Sequence, residues 1–178
     1  MKKQLLIVDG YNMIGAWPEL AVLKKQDRLE EAREDLLNRL SNYAKYEGIQ
    51  IMVVFDAQLV PGITQSYEKY QLEVIFTQEG ETADSYIERT AGQLNNLLTQ
   101  VTVATSDLAE QWVIFSQGAL RTSARELYKS VQKVEKQIHQ HQQEIHYQDY
   151  RRNSPWNEDQ LAQLTQKLAE LSKQAKEK

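Results

Sequence analysis

Three apolar runs that each lead into an aspartate constrain this chain more than any other feature. Gln4–Val8 ends in Asp9-Gly10, Ile51–Phe55 stops at Asp56, and Val101–Ala104 passes through Thr105-Ser106 to Asp107. The first two lack polar alternation, which suits central strands covered on both faces. Between them, from about Arg28 to Tyr46, Leu29, Ala32, Leu36, Leu37, Leu40, Tyr43 and Ala44 recur at helical spacing, and Gly48 ends the pattern. Leu72–Phe76 reads as a partly alternating strand. A helix is expected from Thr82 to about Leu98 after Gly80, and a short one from Leu108 to about Phe115. Strands alternating with helices imply a parallel sheet with right-handed crossovers, an α/β fold. Parallel strands carry their carboxyl ends to one side, where open α/β sheets bind ligands at the switch in strand order. Asp9, Asp56 and Asp107 are therefore expected to share one cleft.

Gathered carboxylates repel one another unless a cation sits among them, and carboxylate oxygens select hard ions such as Mg²⁺ or Mn²⁺. A metal there can bind a phosphate oxygen and generate a hydroxide nucleophile, which suffices for phosphodiester hydrolysis. Glu81 and Asp84, an acid pair at the start of the helix after Gly80, join the set. Each acid also has an ordinary structural role open to it. Asp-Gly after a strand is a common turn pair, and Asp56 can be a plain strand end. Asp107 with Glu110 has capping-box spacing, and Asp84 suits a helix dipole. Asn12 is placed to orient Asp9 or a water, though Asn is also a turn residue. Thr105 and Ser106 can bind a carboxylate or phosphate, or cap the next helix.

Composition excludes several classes. The chain has 178 residues, 41% of them hydrophobic and 26% charged, which suits one ordinary core and argues against bulk disorder. With no cysteine, neither a disulfide framework nor a cysteine-ligated zinc site can form. The opening apolar run is too short for a membrane span and lacks the features of a signal peptide, so the cytoplasm and no membrane are the expectation. No Gly-x-Gly-x-x-Gly fingerprint follows the first strand, which disfavours a dinucleotide enzyme. Position 11 is Tyr, where an aspartyl-nucleophile phosphatase would want a second Asp.

A formal net charge of −4 gives no global sign of a polyanion partner, so local charge decides. Arg121–Ile145 reads as a helix with Ala124, Leu127, Val131, Val134 and Ile138 on one face. Arg121, Arg125, Lys129, Lys133 and Lys136 fall on the other, within an arc of roughly 120°. Such a stripe can track a phosphate backbone, and Arg151 and Arg152 extend it; the bland alternative is a solvated face. His139, His141 and His146 lack a zinc spacing and read as surface residues. Residues 147–155 look like a linker. Trp156 then opens a last helix whose Leu161, Leu164, Leu168 and Leu171 suit core docking better than a dimer seam. The domain reading is 1–146 for the α/β unit with its basic helix and 147–178 for linker and terminal helix, in a monomer. Trp112, Trp156 and the tyrosines read as packing, although an exposed tyrosine near the cleft can stack on a base.

Asp9-Gly10-Tyr11-Asn12, Val54-Phe55-Asp56, Glu81-Thr82-Ala83-Asp84 and Thr105-Ser106-Asp107 together resemble the NYN domains of the PIN-like nucleases. The match is nearest to the bacterial YacP-like branch, and the stretches 9–17 and 117–126 share in it. The resemblance spans about Lys3 to Lys136. It implies a PIN-like three-layer α/β/α fold with a mainly parallel central sheet, followed here by a helical extension. It also implies metal-dependent endoribonuclease activity, with Asp9, Asn12, Asp84 and Asp107 catalytic. The metal would lie on Asp9, Asp84 and Asp107, with Asp56 and Glu81 as further candidates. Members of this branch are associated with cleavage of messenger RNA on translating ribosomes, which makes RNA and the ribosome the implied partners. The rival reading is a non-catalytic RNA- or ribosome-binding module on the same fold.

Overall fold

The computed structural model describes residues 2–56, 70–78, 80–106, 118–153 (backbone alone from 145), 160 and 162–168. Two compact units emerge, Met1–Lys136 and Gln137–Lys178. The first is built on five strands: β1 (Lys3–Asp9), β2 (Gln50–Phe55), β3 (Glu73–Phe76), β4 (Thr99–Ala104) and β5 (Leu120–Thr122). They form one sheet in the order β3-β2-β1-β4-β5, every pair parallel. Among the described residues the helices are α1 (Gly10–Ala16), α2 (Pro18–Lys25), α3 (Leu29–Glu47), α4 (Ala83–Leu94) and α5 (Ala124–Asn153), the last running on past Lys136.

Alternation along the strands divides the core. Leu6, Val8, Ile51, Val53 and Phe55 meet Met13, Ile14, Trp17, Leu20, Leu36, Leu37, Leu40, Leu127 and Val131 on one face of the sheet. Leu5, Ile7, Met52, Val54, Val101 and Val103 meet Ala83, Ile87 and Ala91 of α4 on the other. The unit is thus three layers, α/β/α. With both faces covered, β1 and β2 have no polar side to show, hence their continuous apolar runs.

Local chemistry sets the element ends. α3 carries Glu30 and Glu31 in its first turn and closes on Gly48 in the left-handed region (φ 66°), whose N–H returns to the Ala44 carbonyl. α4 stops at Leu94, short of the expected Leu98. The Asn95 side chain accepts from the Val101 N–H, and the Asn96 side chain accepts from the Leu98 and Thr99 N–H groups. These local acceptors offer the backbone an alternative to another helical turn, so β4 starts at Thr99.

Several expectations are corrected. Arg121 lies in β5, not on the basic helix, because α5 opens at Ala124 on a reciprocal cap. Ser123 Oγ accepts from the Glu126 N–H (3.2 Å), and Glu126 Oε2 accepts from the Ser123 N–H (2.7 Å). α5 runs on to Asn153, through most of the stretch read as a linker. Helices α1 and α2, divided at Trp17-Pro18, were not anticipated. Leu164 and Leu168 are exposed, where burial was expected. The expected helix at 108–115, Trp112, Pro155, Trp156, Leu161 and Leu171 lie outside the described residues. So do the side chains of His146, Arg151 and Arg152. Among the described residues no helix is long and apolar enough to cross a membrane.

Candidate active site at the carboxyl edge of the sheet

The chain steps outward from β1 through β2 to β3, then returns to the far side of β1 for β4 and β5. The switch in strand order therefore falls between β1 and β4, and Asp9 is the last residue of β1. Ile7 and Val54 face the α4 layer. Two residues further along β1, Asp9 inherits that side, and Asp56 follows directly on the end of β2. α4 begins there too, with Asp84 in its first turn and Thr82 as its cap, the Thr82 hydroxyl accepting from the Ser85 N–H (3.3 Å).

Asp9 is 8% exposed, a buried carboxyl at a sheet edge. Its Oδ1 accepts from the Asn12 N–H at 3.0 Å, so Asp9 is the N-cap of α1. Burial nevertheless raises its pKa from 3.8 to about 6; the Asn12 and Tyr11 backbone hydrogen bonds oppose the rise, and the Asp84 and Asp56 charges add to it. No positive group figures among these influences. Among the described residues Asp9 meets other carboxylates and no counter-charge, and oxygen donors of this kind fit a hard divalent cation. Asp9 and Asp84, with Asp56 beside them, are the residues that would hold one.

Asn12 bonds in two directions. Its backbone, not its amide, meets Asp9. Its side-chain Oδ1 accepts from the Ser106 N–H (3.1 Å), and Ser106 Oγ in turn accepts from the Ala124 N–H (3.2 Å). Asn12 thereby ties the end of β1 to the end of β4 and to the start of α5. Thr105 is fully buried and its N–H donates to the Thr122 carbonyl (3.2 Å), which anchors the same segment just before Asp107. Asp107 itself lies outside the described residues. Glu81 is engaged elsewhere, paired with Arg89, whose guanidinium also stacks over Tyr86 at 5.2 Å. Among the described residues no three acids or histidines close into a metal cage. Beside the start of α4 opens a groove of about 550 Å³, lined by Phe76, Thr77, Glu81, Ser85, Tyr86 and Arg89.

Gly10 is not a turn residue but the first of α1, and its glycine identity comes from close approach. A Cβ there would lie 2.2 Å from Phe55 Cε1. That ring cannot move aside easily, since Tyr11 meets it edge-on (5.1 Å) and Phe76 stacks on it (5.4 Å). Arg125, Lys129, Lys133 and Lys136 are exposed on α5, as is Arg121 on β5. Sequence reasoning passed over Arg33, whose Nη1 donates to the Tyr11 hydroxyl (3.3 Å). A signal was present: Arg33 shares the apolar face of α3 with Leu29, Leu36, Leu37 and Leu40.

A family model described as the YacP-like NYN domain matches residues 6–169. The chain is 54% identical over 134 residues to the Uncharacterized protein YacP of Bacillus subtilis (strain 168), covering 75% of this chain and 78% of that one. It is also similar to a crystal structure of Rae1 (YacP) from Bacillus subtilis, with a TM-score of 0.73 and 44% identity, covering 97% of this chain and 94% of that chain. A point mutant of the same protein matches with a TM-score of 0.72 and 48% identity over 83% of this chain and 85% of that one.

Proposed function

The chain belongs to the YacP-like NYN domain family, and from that membership and the Asp9 geometry we propose that it is a metal-dependent endoribonuclease. The observation that carries the proposal is Asp9 itself: a buried carboxyl at the switch point, pushed up to about 6 by burial and by Asp84 and Asp56, with no positive group acting on it among the described residues. A bound Mg²⁺ or Mn²⁺ would supply the missing charge, stabilise the developing charge on a phosphate and provide a nucleophilic water at neutral pH.

The chain's own residues do the rest. The Asn12 N–H fixes the Asp9 carboxylate on the rim, and Asp84 brings a second carboxylate from the opposite element. Asn12 and Thr105 hold the backbone that leads to Asp107, the third expected ligand. Asp56 and Glu81 stand as outer candidates, Glu81 only after release from Arg89. Arg125, Lys129, Lys133 and Lys136, with Arg121 on the neighbouring strand, offer phosphate contacts that position RNA without reading its sequence. Messenger RNA on translating ribosomes, in the cytoplasm, is the substrate setting that the family resemblance suggests.

The Glu81–Arg89 pair favours the rival, a binding module without chemistry, because it removes one acid from the candidate set. Incubation of the full chain with labelled RNA, with and without ribosomes, in Mg²⁺ or in chelator separates the two. Mg²⁺-dependent internal cleavage, lost in Asp9→Asn and in Asp84→Asn with the fold retained, supports the enzyme. Binding without cleavage under every condition supports the module.

A further inference from the structure

Two arginines on α3 are withdrawn from solvent, and they are treated very differently. Arg39 meets Glu135 through two hydrogen bonds (2.7 and 3.1 Å), lies 3.7 Å from Glu19, and sits over the rings of Trp17 and Tyr128. Arg33 is 8% exposed and has no carboxylate partner among the described residues. Its one hydrogen bond there runs from Nη1 to the Tyr11 hydroxyl (3.3 Å), and its Nε is sealed from solvent without an acceptor. Burying a guanidinium with a phenol and no carboxylate beside it is costly.

The location gives the exception a meaning. Tyr11 follows Asp9 by two residues. Its ring begins a row that passes edge-on to Phe55 and then, stacked at 20°, to Phe76. Phe55 belongs to the core on the α3 side of the sheet, whereas Asp9 takes the α4 side. The row therefore follows the carboxyl edge from β1 to β3 on the face opposite Asp84. A strand of RNA whose scissile phosphate sat at Asp9 would have its flanking backbone crossing this edge. A guanidinium already anchored there through Nη1, with its Nε lacking an acceptor, is suited to a phosphate by shape and by charge.

We infer that Arg33, held through the Tyr11 hydroxyl, is a phosphate-binding residue that grips the RNA backbone beside the scissile position, across the sheet edge from Asp84. This rests on the endoribonuclease reading, since it takes RNA as the ligand. Arg33 supplies the fork, Tyr11 fixes its direction, and the Phe55–Phe76 stack keeps Tyr11 in place.

The test measures binding in an Asp9→Asn background, so that no RNA is cut. Anisotropy of a labelled single-stranded oligoribonucleotide is followed across a salt series for Arg33, Arg33→Gln and Arg33→Lys. Neutralising one phosphate fewer flattens the slope of log K against log salt by about 0.7. That flattening is expected for Arg33→Gln, with affinity falling by about tenfold, and the slope is expected to survive in Arg33→Lys. An unchanged slope in Arg33→Gln overturns the inference, whatever the variant does to stability. Should Arg33→Gln not fold, the Nε–H resonance of Arg33 in the otherwise unaltered background decides. It must shift as RNA is added, and a resonance unmoved at saturation overturns the inference. Wild-type cleavage is scored separately. A chain that cuts RNA with no role for Arg33 sinks this inference alone, and one that binds through Arg33 without ever cutting sinks the nuclease reading alone.

Discussion

Replacing Asp9 by Asn should make the metal-free protein more stable at neutral pH, although it destroys the proposed active site. The pKa of Asp9 rises from 3.8 to about 6 on folding, chiefly through burial. A raised carboxyl pKa means that the folded state prefers the proton. The associated stability is fully present below about pH 3.8 and is lost as pH rises through about 6. Two pKa units correspond to about 3 kcal/mol, the penalty carried by ionised Asp9 at pH 7.5. Asn is neutral, can still accept from the Asn12 N–H and is a good N-cap, so the substitution removes the charge and keeps the hydrogen bond. For a chain of this size the gain corresponds to a rise in melting temperature of roughly 6–12 °C. Circular dichroism melts in chelator at pH 7.5 and pH 4.5 measure it directly. The Asn variant should exceed the wild type at pH 7.5, and most of the gap should close at pH 4.5. Added Mg²⁺ should raise the wild type and leave the variant unmoved, because a ligand stabilises only the state that binds it. A variant no more stable than wild type at pH 7.5, or a gap independent of pH, would refute the reasoning.

Three further outcomes follow from the geometry. Gly10→Ala drives a methyl to 2.2 Å from a Phe55 ring held between two others, so its urea midpoint should fall by the equivalent of about 1–3 kcal/mol; an unchanged midpoint would show that the ring can yield. Asp84→Asn removes a like charge acting on Asp9, so the Asp9 carboxyl, followed by carbon NMR in chelator, should titrate below about 6; an unchanged or higher midpoint would separate the two acids. Arg125→Glu with Lys129→Glu should weaken RNA binding and flatten its salt slope by about 0.7 for each phosphate no longer neutralised, and unaltered binding would return α5 to an ordinary solvated face.

Much of this was legible because burial leaves its period in the sequence. β1 and β2, covered on both sides, can only be apolar runs, and α3 repeats its leucines because one stripe meets the sheet. The strand-end acids were readable for a related reason: a charge directly after such a run has to sit at the edge. Other features lacked that kind of signal. β5 has three residues and includes Arg121, so it reads like the approach to a helix. The early end of α4 depends on which backbone groups the Asn95 and Asn96 side chains find. Gly10 looked like half of a turn pair, since sequence does not reveal that Phe55 lies against it. Arg33 needed the opposite habit of reading, attention to a charge on an apolar face. The bond from Ser106 to Asn12 was not legible because the two residues lie far apart in sequence.

The proposed chemistry depends on Asp9 exchanging a proton for a divalent ion at the place where RNA is cut. Single-turnover cleavage of a labelled RNA, measured across pH 5–8 at two Mg²⁺ concentrations about tenfold apart, tests this directly. Because proton and metal compete for Asp9, the rate should rise through a midpoint near or below about 6. The midpoint should move to lower pH at the higher Mg²⁺, and Asp9→Asn should show no cleavage at either concentration. Cleavage that persists in Asp9→Asn, or a pH profile indifferent to Mg²⁺, would contradict that chemistry.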